Sequence, residues 1–269
     1  NPAYHLKGIV SSFKSAAEKM PRVDAIGVSS AGVYINNRPM VASLFRAVPE
    51  DLYDKHVKGI YAEAAKALGG VPIKVINDGD VTALAGAMSS GHTAVMGIAM
   101  GTSEAAGYVD RQGHITGWLN ELAFATVDMN SRAARDEWSG DAGVGACWFS
   151  QDGVIRLAAE AGIALSESAT PAELLSYMQQ LLEDGPPLTS QVFADIGCAF
   201  AHTIAYYARF YDIDHVLLLG RVMSGRGGDI ILENACETLK ADYPELTLEL
   251  KTPDEKMRRL GQSVAAASL

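Results

Sequence analysis

The sequence predicts an α/β protein built on mixed sheets. Three observations carry this reading. Short apolar runs rich in β-branched residues alternate with stretches of helical spacing along most of the chain. Two of those runs, one leading from Val95 into Gly101-Thr102-Ser103 and one over 105–109, follow each other so closely that they read as an antiparallel hairpin. A length of 269 residues suffices for one large core or two packed lobes.

The elements follow in order. Residues 3–20 have amphipathic helical spacing and stop at Pro21. A short strand over 24–30 leads to a loop with Gly32, and 33–41 reads as a hairpin turning at Asn36-Asn37. A helix over 52–68 is closed by Gly69-Gly70 and followed by a strand over 71–76. A small-residue helix over 81–88 ends at Ser89-Ser90-Gly91. Beyond the 95–116 hairpin the chain turns mostly helical, with helices expected over 131–139, 152–162, 171–183 and 188–210, and Pro186-Pro187 reads as a loop within a domain. An apolar run over 214–221 predicts a buried strand, and a helix over 229–240, a polar strand over 246–251 and a helix over 255–268 complete the pattern.

Composition excludes several classes. Hydrophobic residues make up 48% and charged residues 20%, the balance of a globular rather than a disordered chain. A formal net charge of -10 argues against a nucleic-acid partner, because such surfaces are usually basic. Backbone N–H groups and local dipoles can still hold a nucleotide phosphate against that charge. Cys147, Cys198 and Cys236 form no CxxC pair and suit a reducing, cytoplasmic setting. The six histidines show no metal-ligand spacing. No apolar run reaches the length that spans a bilayer, so no membrane partner is expected, and no signal peptide is visible. The chain opens at Asn1-Pro2 without methionine, so its natural start is expected upstream.

Two segments carry chemistry. The strand at 71–76 ends abruptly in Asn77-Asp78-Gly79-Asp80, which puts an amide and carboxylates at a strand tip and at the mouth of a helix. Ligands of open α/β sheets bind where strand ends and helix N-termini converge. The plainer alternative is that Asn77 or Asp78 only caps the helix. In Gly101-Thr102-Ser103, glycine allows a phosphate to approach the backbone, and the hydroxyls and N–H groups can bind its oxygens. The alternative there is an ordinary hairpin turn of small residues.

The order of landmarks resembles a known family. Asn77-Asp78 is followed by Gly101-Thr102-Ser103, then by Asn120-Glu121-Leu122-Ala123-Phe124, Leu217-Leu218-Leu219-Gly220 and the closing Leu260-Gly261-Gln262-Ser263. This set is similar to the ROK (repressor, open reading frame, kinase) group of sugar kinases within the actin-like ATPase superfamily. The resemblance covers nearly the whole chain, with degenerate individual motifs. It implies the actin-like ATPase (ribonuclease H-like) fold, with two lobes of mixed sheets flanked by helices. The first lobe is 1–86, incomplete at its start and joined by the last helix over 255–269, and the second is 87–254.

The resemblance also implies roles. Asp78 is the general base that takes a sugar hydroxyl proton, and Asn77 and Glu121 bind the sugar. Gly101, Thr102 and Ser103 hold phosphate, while Gly220, Ser224 and Gly225 lie where the family contacts adenosine. ATP and Mg²⁺ are expected for the full-length protein, and sugar and nucleotide are the expected partners; a homodimer stays open. For Glu121 the alternative is a solvated loop acid. Ser29, Ser30 and Ser43 either line the first-lobe side of the pocket or simply form turns.

Two departures matter. The family's structural zinc uses a histidine just after the sugar-binding glutamate and a cysteine cluster. Here Phe124 stands at the histidine position and Cys147 is alone, so no zinc is expected, with Phe124, Trp138, Trp148 and Phe149 filling the space. The superfamily's opening Asp-x-Gly-Gly-Thr hairpin, which orders Mg²⁺, has no counterpart in these residues. A fragment of a longer chain is therefore expected, with an exposed sheet edge unless another chain covers it. The competing class is a sugar-binding regulator or degenerate kinase-fold protein without catalysis. A Rossmann-type enzyme is the weaker third reading, since no G-x-G-x-x-G follows the first strand.

Overall fold

The structure is a computed structural model that describes residues 1–253 and 255–269, apart from the side chains of 255–260. Its first part holds a helix, α1 (Pro2–Ala17), packed on the helical stretch that precedes β4, and a pair of parallel strands, β1 (Ile26–Ser30) and β4 (Ile73–Asn77). Between these strands lie a small hairpin, β2 (Val33–Ile35) and β3 (Arg38–Val41), and a helical stretch. Asn36 and Asn37 turn the hairpin with φ of 51° and 63°, a left-handed pair that asparagine tolerates better than most residues. The Asn37 amide then docks on the outer edge of β4: its Nδ2 donates to Ile73 O (2.9 Å) and its Oδ1 accepts from Val75 N–H (2.8 Å).

The helix expected over 52–68 forms in pieces. A short α2 (Glu50–Leu52) runs into a π-helical turn at Tyr53–Val57, then α3 (Ile60–Ala65) and a closing 3₁₀ turn, Lys66–Leu68. Phe45, Val57, Ile60, Tyr61 and Val75 form the core of this part.

Helix α4 (Asp78–Ser90) leaves the tip of β4 directly. It packs on the second sheet, of order β6-β5-β7-β8, in which β5 (Val95–Met100) pairs antiparallel with β6 (Glu104–Val109) and parallel with β7 (His215–Leu219). β8 (Glu249–Lys251) adds a short parallel edge. The approach of α4 is close enough that a Cβ on Gly79 would meet Ala106 O at 2.2 Å, and one on Gly107 would meet Gly79 O at 2.2 Å. These two glycines are what let the helix N-terminus lie against the β6 backbone.

The other face of this sheet buries the largest core, formed with α5 (Gln151–Glu160), α6 (Pro171–Asp184), α7 (Pro187–Tyr207) and α8 (Gly225–Asp242). The last helix, α9 (Glu255–Ala267), returns to α4 and β1, burying Ala265 and Ala266 beside Val81 and Ala85. Pro186-Pro187 sits between α6 and α7 as a tight connection, with Pro187 opening α7.

One expected helix does not form. Residues 131–139 are an irregular loop, although alanines and arginines give them helical spacing. Their neighbours' short polar side chains take the backbone N–H groups instead. Asp128 accepts from Asn130 N–H (2.9 Å), Asn130 from Arg132 N–H (2.9 Å), and Asp136 from Ser139 N–H (2.7 Å). Such local bonds compete with helical ones. Isolated bridges at Thr126–Val144 and Arg135–Ala142 then fold the loop on itself.

Candidate functional site

The site begins at the tip of β4. Asn77 caps α4, its Oδ1 accepting from Gly79 N–H (2.7 Å), while its Nδ2 donates to Gly32 O (2.8 Å). Asn77 therefore does cap the helix. The same amide ties the strand tip to the loop after β1, where Ser30 stands in register with Asn77. Ser30 is engaged by Tyr34 (2.7 Å) and Tyr61 (2.9 Å).

Asp78 occupies the first turn of α4, where its carboxylate accepts from Gly79 N–H (3.1 Å). Burial raises its pKa, against the pull of that N–H. Glu121 lies close enough to feel both Asp78 and Asp80, and burial together with those like charges raises its pKa as well. Asn120, the residue before Glu121, donates its Nδ2 to Asp80 (2.7 Å), two residues after Asp78, so the segment of the glutamate, 43 positions later in the chain, comes to the same helix turn. Glu121 is half-buried and precedes a 3₁₀ turn, Leu122–Phe124, so it is not a freely solvated loop acid.

The phosphate-binding candidate and the segment after β7 also come together. Gly101-Thr102-Ser103 form a three-residue hairpin loop closed by Gly101 N–H to Ser103 O (3.0 Å). Thr102 and Ser103 are exposed at its tip. A Cβ on Gly101 would meet only Ser103 O, at an ordinary 3.6 Å, so the space beside this glycine is open. From the other side, Val222 N–H donates to Met100 O (3.1 Å) and Gln151 N–H, at the start of α5, donates to Gly101 O (2.8 Å).

Gly220 has φ of +99°, and a Cβ there would meet Met100 O at 2.3 Å. Its identity follows from that close approach between β7 and β5, whatever binds beside it. Ser224 and Gly225 stand at the N-terminus of α8, where Ser224 makes no side-chain cap. Gln179 of α6 accepts from Gly227 N–H there (3.0 Å), a contact that no sequence pattern indicated.

Sequence reasoning also assigned no role to two buried acids. Asp80 is 6% exposed and accepts from Asn120 Nδ2 (2.7 Å) and Tyr108 N–H (3.3 Å). Burial, outweighing those donors, pushes its carboxyl up to about 6, with the Asp78 charge adding to the shift. Glu104, the first residue of β6, is 5% exposed, and neither carboxyl oxygen has a hydrogen-bond partner among the described residues. Gly145 leaves it room: a Cβ there would sit 2.1 Å from Glu104 Oε2 and 3.0 Å from Leu122 O. Burial alone pushes Glu104 up to about 8. The one signal in the sequence was an acid directly before an apolar strand, since buried positions normally exclude carboxylates.

Where the family's zinc would sit, Phe124 and Trp138 pack against each other with ring centroids 5.1 Å apart. Trp148 and Phe149 go elsewhere. Trp148 lies under the Arg156 guanidinium, and Phe149 packs on Phe200 in the main core. Cys147 Sγ–H donates to Ala134 O (3.7 Å). Among the described residues, no three His, Cys, Asp or Glu side chains are gathered to hold a metal.

No protein-family model matches this chain, and no curated protein matches it. Solved structures do. A ROK hexokinase from Thermus thermophilus superposes with a TM-score of 0.73 at 17% identity, over 97% of this chain and 85% of that one. A ROK-family glucokinase from Streptomyces griseus, solved with glucose and AMPPNP, gives 0.69 at 18%, over 97% and 87%. A ROK-family transcriptional regulator, described as a homologue of the E. coli MLC protein, gives 0.70 at 17%, over 99% and 68%. The chain has the ROK-type, actin-like ATPase fold that these proteins share.

Proposed function

We propose that this chain carries the site of an ATP-dependent carbohydrate kinase. The observation that supports it most is that the segment of the half-buried Glu121 is bonded, through Asn120 Nδ2 to Asp80 (2.7 Å), to the helix turn that carries Asp78 at the strand tip. In this reading Glu121 and the remaining hydrogen-bonding capacity of Asn77 hold sugar hydroxyls. Asp78 accepts the proton of one hydroxyl as its oxygen attacks the γ-phosphorus. The new O–P bond forms as the bond from phosphorus to the ADP oxygen breaks. The backbone and hydroxyls of Gly101, Thr102 and Ser103 face the phosphates, and Gly220, Ser224 and Gly225 face the nucleoside. A raised pKa suits a base, because a carboxylate that holds its proton more tightly draws it more strongly from the acceptor.

Mg²⁺ is expected with ATP; among the described residues no three His, Cys, Asp or Glu side chains are gathered to hold it. The domain reading, 1–86 with 255–269 against 87–254, places the acceptor acids near the junction and the nucleotide loops in the second part. A sugar-binding regulator is the second reading, favoured by the regulator of the same fold.

The test is a panel of hexoses and N-acetylhexosamines offered with MgATP to the full-length natural chain, reading sugar-dependent ADP release. At least one sugar should stimulate ADP release well above the sugar-free rate. Sugar binding without any stimulated turnover would replace the kinase with the regulator.

A further inference from the structure

Asp78 and Glu121 come from distant parts of the chain, and among the described residues no hydrogen bond joins them to each other. Asp80 spans the gap. It lies two residues after Asp78 in the first turn of α4, and its Oδ1 accepts from both Asn120 Nδ2 (2.7 Å) and Tyr108 N–H (3.3 Å). Asn120 is the residue before Glu121 and is itself 8% exposed. Its Oδ1 accepts from Tyr211 O–H (3.1 Å), just beyond α7. The helix turn with Asp78, the edge strand β6 and the segment with Glu121 therefore converge on one carboxylate oxygen.

We infer that Asp80 is a positioning residue, a clamp that holds the Asn120-Glu121 segment against the helix turn bearing Asp78. This rests on the roles proposed for Asp78 and Glu121. Chemistry favours a carboxylate here: a charged acceptor makes a stronger bond to an amide N–H than a neutral one, and it holds two donors at once. A hydrophobic residue at position 80 would leave Asn120 Nδ2 and Tyr108 N–H buried without an acceptor. The clamp also has an electrostatic consequence. Asp80 is held up by burial and by the Asp78 charge, and Asp80 in turn pushes up Glu121. Interaction between titrating groups is reciprocal, so neutralising Asp80 lowers the proton affinity of its acidic neighbours.

Two substitutions separate geometry from charge. Asp80→Asn keeps an acceptor oxygen for Asn120 and Tyr108 but removes the charge, whereas Asp80→Ala removes both. In the full-length natural chain with D-glucose as the probe, Asp80→Ala should weaken sugar binding by about tenfold or more, equivalent to about 1.4 kcal/mol. Asp80→Asn should stay within about threefold of wild type and move the acid limb of the pH–turnover profile to lower pH. Wild-type glucose binding in Asp80→Ala, or equal losses in both variants, overturns the clamp.

A ligand-free measurement stands beside it. In thermal unfolding, Asp80→Ala and Asn120→Ala should be non-additive, the double variant losing no more than the harsher single one. Additive losses also overturn the clamp. Asp78→Asn in the same assays keeps the two ideas apart. Normal turnover in Asp78→Asn removes the proposed base, while the clamp is still judged by glucose binding and by the unfolding cycle.

Discussion

At the scale of single residues, the site is a set of carboxyls whose environments differ. Asp78 and Asp80 keep donors from the protein, and Glu104 has none among the described residues. Glu104 is displaced furthest because desolvation acts on it with nothing to offset it. The consequence is a pH-dependent stability. The folded chain holds the Glu104 proton up to about pH 8, whereas the unfolded chain releases it near its ordinary value of 4.5.

Between those values the unfolded state carries fewer protons, so stability falls as pH rises and levels off above about 8. Glu104→Gln removes this dependence. Its stability advantage over wild type should grow from pH 5 to pH 8 in urea denaturation, at up to about 1.4 kcal/mol per pH unit. Parallel stability curves for the two proteins across that window would show that Glu104 ionises in the folded state as it does in water.

At the scale of elements, the hairpin of β5 and β6 organises the side proposed for the nucleotide. Its three-residue loop is held by Val222 N–H and Gln151 N–H from two other segments, which makes it a fixed rather than a wandering turn. Gly101→Val should be tolerated by the protein itself, because a Cβ there meets only Ser103 O, at 3.6 Å. If phosphate approaches this backbone, the same substitution should weaken ATP binding about tenfold or more and leave sugar binding nearly unchanged, both read by calorimetry. Equal effects on the two ligands, or none on either, would leave the loop an ordinary turn.

Much of this level was legible in the sequence. The period of the apolar residues located β1, β4, β5, β6 and β7, and the Asn36-Asn37 pair located a turn. What was not legible were the outcomes decided by competition or by distance. The loop at 131–139 lost its helix to side-chain bonds from Asp128, Asn130 and Asp136. The helix at 52–68 broke into α, π and 3₁₀ turns. Asp80 and Asn120 lie 40 positions apart, and no local pattern joins them.

At the scale of the whole molecule, α4 is the element that ties the parts together. It starts at the tip of the first sheet, lies across the second and receives α9. Gln262 of α9 donates to Thr82 Oγ1 and reaches Asp78 O (3.5 Å), so the closing motif of the chain braces the turn that carries the proposed base. Gly27 of β1 lies so close to α9 that a Cβ would overlap Ala266 O. The β1–β4 pair has no third strand among the described residues, and Asn37 covers part of its β4 edge.

The most direct test of the account is sugar phosphorylation by the full-length natural chain and by its Asp78→Asn variant, with MgATP and each sugar that stimulates ADP release. Asn keeps the shape of the side chain and the helix turn but cannot accept the proton. The account predicts phosphorylated sugar from the wild type, a fall in turnover of about 10² or more in the variant, and sugar binding changed only modestly. Near-wild-type turnover in Asp78→Asn, or a wild type that binds sugar and never phosphorylates it, would contradict it.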